Sequence, residues 1–225
     1  MTRGSMKTHA RLIRGLGLTA IIGALAFPIT DLIAILLRQG YNPFSDTISS
    51  LAMGSTGWIQ SIGFYFCGVG TMAFAMGLYL ELSPPWEVRL GEVLTFIAGV
   101  SLIFVAIFHA NPHGETATIH GDIHLAAAFA AGSCVLPAFF LISPGVRHRK
   151  TLFIYSIIAG ILEIVMVIGR GNMPSNWTLV GLHERLIAAN AIAWLAIVSW
   201  AVLIRAREPH LRVSDIAEYE DEPFL

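Results

Sequence analysis

Six stretches of the chain stay apolar long enough to cross a bilayer, for which a helix needs roughly 20 residues. They are Leu12–Leu37, Trp58–Leu82, Leu90–Phe108, Ile123–Ile142, Leu152–Ile168 and Leu186–Ile204. Polar residues gather between these runs rather than inside them. None of the runs alternates apolar and polar positions as a barrel strand does. Lipid cannot satisfy free backbone groups, so each run is read as a helix. The pattern therefore predicts an all-α fold: a polytopic membrane protein built as a bundle of six transmembrane helices. Turn residues sharpen the boundaries. Ser83-Pro84-Pro85 stops the second run and Ser143-Pro144-Gly145 the fourth, as proline and glycine do. After the first run comes a polar, turn-rich loop. Its Ser45-Asp46-Thr47-Ile48-Ser49 string follows Asn42-Pro43 and is suited to capping a short interfacial helix.

Composition agrees with this pattern. Of 225 residues, 55% are hydrophobic and 13% charged, with mean hydropathy +0.69, whereas soluble domains carry about a quarter charged residues. Residues 1–207 form one expected domain, the six-helix transmembrane unit, and 208–225 a polar, disordered cytoplasmic tail with an acidic stretch at Glu218–Glu222. The first run follows basic residues but is too long for a signal peptide. The two cysteines, Cys67 and Cys134, fall inside apolar runs and read as buried small hydrophobes.

The net charge of −1 hides an asymmetry. Arg3, Lys7, Arg11 and Arg14 lie before or at the start of the first run, and Arg89 lies between the second and third. Arg147, Arg149 and Lys150 join the fourth and fifth, and Arg205, Arg207 and Arg212 follow the sixth. The other side holds only Arg38, Arg170 and Arg185. The positive-inside rule then places the protein in the cell membrane with both termini cytoplasmic. The basic clusters are topology determinants, and no nucleic-acid partner is expected.

The odd-numbered loops, on the outer side, carry the candidate chemistry. His109, His113, His120 and His124 are four of eight histidines in the chain. His120 and His124 are four apart, so on a helix they share a face and could bind one metal. His109 closes the third run at the same depth. The expected metal set is His109, His120 and His124, with zinc as the cofactor. The other reading is a set of interfacial histidines that cap helix ends and bind water. Asp46 is a candidate ligand or catalytic partner, or else a cap. Asp122 and Glu184 are candidate acid/base groups. Arg170 and Arg185 could hold an anionic headgroup, because guanidinium binds phosphate through two parallel hydrogen bonds; Glu184 and Arg185 could equally pair with one another. Asp46, His120 and His124 are expected to line one cavity. A bis-histidine haem fits poorly, because these histidines sit at the rim. Asp31, Glu92 and Glu163 lie within apolar runs, where charges face the bundle interior and often mark function.

The string Asn42-Pro43-Phe44-Ser45-Asp46-Thr47-Ile48-Ser49-Ser50-Leu51, the histidine-rich exit of the third run, His120-x3-His124 and Gly181-Leu-His-Glu184-Arg185-Leu resemble the uncharacterised membrane family called domain of unknown function 998, over about Leu12–Arg205. That family looks distantly like the DRAM and GPI-lipid-remodelling membrane proteins, which share a Ser-Asp-Thr string after the first helix. The resemblance implies six helices and lipid-related work but no particular reaction. A looser likeness is to the membrane hydrolases that include alkaline ceramidases, whose zinc site uses histidines, an aspartate and a serine. His120-x3-His124 with Ser45 and Asp46 is similar in kind, although this chain has six spans rather than seven and a different motif order.

These readings converge on a membrane-embedded, metal-dependent hydrolase acting on a lipid or other small amphiphile at the outer leaflet. A zinc-activated water would attack, Asp122 or Glu184 would move the proton, and Arg170 or Arg185 would hold the anionic group. The alternative is a non-catalytic lipid-binding scaffold or a transporter whose polar cluster lines a headgroup pocket.

Overall fold

The computed structural model describes residues 3–82, 85–111, 116–172 and 178–205. The expected tail at 208–225, the turn residues Ser83 and Pro84, and His113 and Glu115 lie outside the described residues. The fold is all-helical. Its elements are α1 (Arg3–Leu37), α2 (Ile48–Leu51), α3 (Gly57–Glu81), α4 (Trp86–Ile107), α5 (Ile119–Ile142), α6 (Lys150–Gly171) and α7 (Val180–Arg205). A 3₁₀ turn at Ser143–Val146 extends α5. Among the described residues six helices, all but α2, are long and apolar enough to cross a membrane. The protein is a multi-pass membrane bundle.

All six spanning helices begin ahead of their apolar runs, and at α5 and α7 this moves candidate site residues onto a helix. α5 starts at Ile119, behind its cap Thr118, and α7 starts at Val180. Their first turns carry His120 and Asp122, and His183, Glu184 and Arg185, which hydropathy alone assigns to loops. The polar residues are thus presented on helices, in fixed directions. The short capped helix also forms: the Thr47 hydroxyl accepts from Ser50 N–H at 3.3 Å and opens α2.

The spans close into a ring. α1 packs on α3 and α7, α3 on α4, α4 on α5, α5 on α6 and α6 on α7. Without a hydrophobic drive between helices in lipid, close approach depends on small residues. α1 and α3 cross at Gly23 and Gly70, where a Cβ on Gly70 would come within 2.9 Å of Gly23 Cα. Trp194 of α7 fills the interior, 4.5 Å from the Phe139 ring centre and 5.3 Å from that of Phe74. Its indole N–H, an obligate donor, reaches Ser156 Oγ at 3.0 Å.

The three carboxylates that lie inside the apolar runs each have a partner, as burial in lipid demands. Glu92 pairs with Arg89 at 2.8 Å. Glu163 accepts from Asn190 Nδ2 at 2.7 Å, a partner that the sequence pattern did not reveal. Asp31 pairs with Arg185 at 3.0 Å. Cys67 and Cys134 are free thiols, the first buried and the second half-buried. The described loop residues 38–56, 108–111, 116–118, 172 and 178–179 share one end of the bundle, here termed the distal end.

Candidate functional site

At the distal end the first loop is fastened to α1 and α7 by one guanidinium. Arg185, one turn into α7, donates Nε and Nη2 to the two oxygens of Asp31 at 3.0 and 3.3 Å. Nη2 also donates to the Tyr41 hydroxyl at 2.6 Å. Nη1 reaches the carbonyls of Pro43, Asp46 and Gly181 at 2.8, 3.3 and 3.1 Å. The planar fork of arginine suits this multiple contact. Gly181 lets the loop approach: a Cβ there would strike the Asp46 carbonyl and lie 2.7 Å from that of Pro43. Tyr41 passes its hydroxyl hydrogen to the carbonyls of Asp46 and Thr47, each 2.9 Å away. Burial pushes the Tyr41 phenol above its ordinary range, against the pull of Arg185.

The loop so held presents α2 to its neighbours. The first N–H groups of a helix lack internal partners. Here Ile48 N–H donates to Glu184 Oε2 at 3.0 Å. One residue on, Ser49 points at α5. The Ser49 Oγ lies 2.9 Å from His124 Nε2, and His124 Nδ1 lies 2.7 Å from the Phe108 carbonyl oxygen. A carbonyl only accepts, so Nδ1 carries the hydrogen. Nε2 is then an acceptor, and the Ser49 hydroxyl donates to it. His124 is 4% exposed. Its depth follows from the end of α4, where Phe108 N–H closes on Phe104 O at 2.9 Å and leaves the Phe108 carbonyl without a helical partner. Thr118 fixes the start of α5 by accepting from Gly121 N–H at 3.1 Å and donating to Asn111 Oδ1 at 2.7 Å. The result is a hydroxyl, an imidazole base and a group that orients the base, in line.

The other expected site residues are distributed differently. Asp46 spends its carboxylate inside the loop, accepting from Asn42 N–H at 2.9 Å and Ser45 Oγ at 3.1 Å. Asp122 is exposed in the first turn of α5. His120 is also exposed, with its ring edge-on to Phe108 at 5.3 Å. His109 Nε2 stands 3.5 Å from Ser61 Oγ. Arg170 is exposed in the last turn of α6 and acts electrostatically on Glu184. Glu184 holds α2, and Arg185 holds the loop, so neither is presented to a ligand as expected. Among the described residues no three His, Cys, Asp or Glu side chains lie close enough to hold a metal ion. The set His109, His120 and His124 therefore does not fit zinc, because both His124 nitrogens are already bonded to protein groups. Neither His120 nor His124 lines the pocket that Asp46 helps to form. Asp46 lines a polar pocket of about 270 Å³ with Tyr41 and Thr47. His109 lines a larger groove of about 780 Å³ between α3 and α4, with Met53, Trp58, Ser61, Ile62 and Tyr65.

The sequence pattern missed Ser49 and the Phe108 carbonyl. Ser49 looked like a turn residue in a run of hydroxyls, and a backbone carbonyl leaves no mark in sequence. The usable signal was the depth of His124, which lies more than a turn inside α5 once the cap at Thr118 is recognised.

The family described as a protein of unknown function (DUF998) matches residues 21–201, which takes in α2 to α6 whole, α1 from Ile21 onward, α7 as far as Ala201, and both halves of the Ser49–His124 pair. The chain belongs to the DUF998 family. No curated protein and no solved structure gives a significant match. Within this DUF998 chain the matched region begins in α1, upstream of Asp31, and ends in α7, beyond Arg185, so the clamp that holds α2 is also inside it.

Proposed function

We propose that this protein is a membrane-embedded hydrolase of a lipid or small amphiphile, using Ser49 as nucleophile and His124 as base at the outer face of the cell membrane. The single observation that carries the reading is the Ser49–His124–Phe108 line of hydrogen bonds. A serine becomes nucleophilic when an adjacent base takes its proton and a third group holds the base in the right tautomer. In the proposed reaction Ser49 Oγ attacks the acyl carbonyl while its proton passes to His124 Nε2. The Phe108 carbonyl stabilises the imidazolium through Nδ1–H. The tetrahedral intermediate collapses, and His124 returns the proton to the departing alcohol or amine. Water, deprotonated by His124, then cleaves the acyl-Ser49 ester. This assigns the role first expected of a metal-bound water to a side chain. The outward orientation rests on basic residues crowding the opposite end of the bundle.

A membrane-impermeant fluorophosphonate tests both parts. Its phosphorus is attacked by Ser49 Oγ, fluoride leaves, and the proton goes to His124. Intact cells are expected to give an adduct on Ser49. Ser49→Ala should abolish it, and His124→Gln should slow it by about a thousandfold or more. An adduct only after cell lysis would reverse the orientation. No adduct on folded wild-type protein in either case would leave the same hydrogen bonds as a tether between α2 and α5, and favour a non-catalytic lipid-binding scaffold.

A further inference from the structure

The 780 Å³ groove lies beside the dyad but takes no part in the proton transfers. Its walls come from membrane-spanning residues. Ile62 and Tyr65 of α3 and Ile107 of α4 line it and are 40%, 50% and 57% exposed. Apolar side chains exposed within a span are covered by what the bilayer supplies, which is lipid tail. The surface here is a recess with the capacity of a ligand pocket, about 300–1,000 Å³, rather than a smooth helix face. Its distal rim is polar: Ser61 Oγ and His109 Nε2 stand there 3.5 Å apart. Trp58, 62% exposed, occupies the same rim, where an indole sits between hydrocarbon and headgroups.

At the rim the groove comes within one helical turn of Ser49. Ala52 lines the groove, and its N–H donates to the Ser49 carbonyl at 3.1 Å, one helical turn away. His109 follows Phe108, whose carbonyl holds His124. We infer that the groove between α3 and α4 binds one acyl chain of a bilayer lipid, with the ester that joins chain to headgroup at Ser61 and His109, next to Ser49. This rests on the hydrolase reading for its chemistry and narrows the substrate class to acyl-ester lipids entering sideways from the membrane. Ser61 and His109 are positioning residues in this scheme: a hydroxyl and an imidazole supply donors to the ester region without touching the proton relay.

The test is photocrosslinking in nanodiscs made with phosphatidylcholine that carries a diazirine in one acyl chain. Using the full chain with Ser49→Ala keeps the readout independent of turnover. Adducts are expected to concentrate several-fold on Trp58, Ile62 and Tyr65 over Phe129 and Val165, which are 76% and 61% exposed elsewhere on the bundle. Ala110→Trp, which fills the groove from the α4 side, should cut the groove adducts about tenfold. Ser61→Phe should do the same from α3, while Ile158→Trp on α6 should leave them unchanged. Adducts spread evenly over Phe129 and Val165, or groove adducts indifferent to both filling variants in folded protein, would overturn the inference. Serine labelling without groove adducts would defeat this inference alone. Groove adducts without serine labelling would defeat the hydrolase reading and leave a lipid-binding groove.

Discussion

Asp31 and Arg185 stand 154 positions apart and meet through two hydrogen bonds of 3.0 and 3.3 Å. Both belong to membrane spans, so each would be costly alone. Removing one partner of a buried pair costs about 3–5 kcal/mol, whereas removing both costs much less. Arg185→Ala is therefore expected to lower the thermal midpoint of detergent-solubilised protein strongly, and Asp31→Asn less, because the amide oxygen still accepts. Asp31→Leu combined with Arg185→Leu should recover part of the loss at the α1–α7 contact. Arg185→Lys should behave nearly as badly as Arg185→Ala, since an ammonium cannot bridge Asp31, Tyr41 and the loop carbonyls together. Equal midpoints for Arg185→Lys and wild type would show that charge alone, rather than the fork, holds the loop.

Glu184 is expected to act on Ser49 through α2. Its carboxylate is the acceptor for Ile48 N–H at 3.0 Å, the residue before the serine. Hydrogen bonds to charged groups contribute about 1.5–3 kcal/mol. Glu184→Gln keeps an acceptor, so fluorophosphonate labelling of Ser49 should stay within about threefold of wild type. Glu184→Ala should slow it by about tenfold, equivalent to ~1.4 kcal/mol, with a smaller proportional loss in global stability followed by tryptophan fluorescence. Wild-type labelling in Glu184→Ala would mean that α2 is held without this bond.

The helical architecture was legible because bilayer thickness imposes a length that apolar counting can detect. The starts of α5 and α7 were not, because His120, Asp122, Glu184 and Arg185 are polar and yet helical. The cap of α5 is Thr118, and the Ser45-Asp46-Thr47-Ile48-Ser49 string was read as suited to capping the short helix that forms as α2. The site was only half legible. His124 was identified, but as a metal ligand beside His120. On a helix the two are neighbours in angle, yet His124 turns to the Phe108 carbonyl and Ser49, while His120 stays at the rim on the Phe108 ring. Which way an imidazole turns depends on what the end of α4 and the first loop bring to it, and that is set by contacts across some 75 residues of sequence. Asp46 and Arg185 were singled out as candidate site residues, but the carboxylate of Asp46 bonds within the loop and Arg185 ties the loop to α1 and α7.

Tyr41 makes the loop sensitive to alkali. Its phenol is raised above the ordinary value of 10.0, first by burial. A group with a raised native pKa contributes stability that is fully present below its unfolded pKa and lost as pH rises through the native one. The unfolded chain releases the Tyr41 proton first, so stability should fall with pH above about 10. Tyr41→Phe should be less stable at neutral pH, having lost the bonds to Arg185, Asp46 and Thr47, but should show a flatter decline between pH 10 and 12. Parallel declines in the two proteins would remove Tyr41 as the source.

Gln60 is 0% exposed in α3, and among the described residues neither end of its amide has a hydrogen-bond partner. Burying an amide without compensation costs about 1–3 kcal/mol by mutational measures. Methionine has nearly the same length and shape without the polar atoms, and replacing an unsatisfied polar group by an apolar one of similar shape is neutral or stabilising. Gln60→Met is therefore expected to raise the thermal midpoint by a few degrees, on the scale of roughly 2–4 °C per kcal/mol for a chain of this size. Gln60→Ala should lower it, because a cavity replaces the side chain. The two variants separate the polar from the packing contribution. A midpoint that falls in Gln60→Met by as much as in Gln60→Ala would show that the amide is satisfied in the membrane, by water or by a polar ligand reaching the core of the bundle, and would make Gln60 part of a site rather than a defect in one.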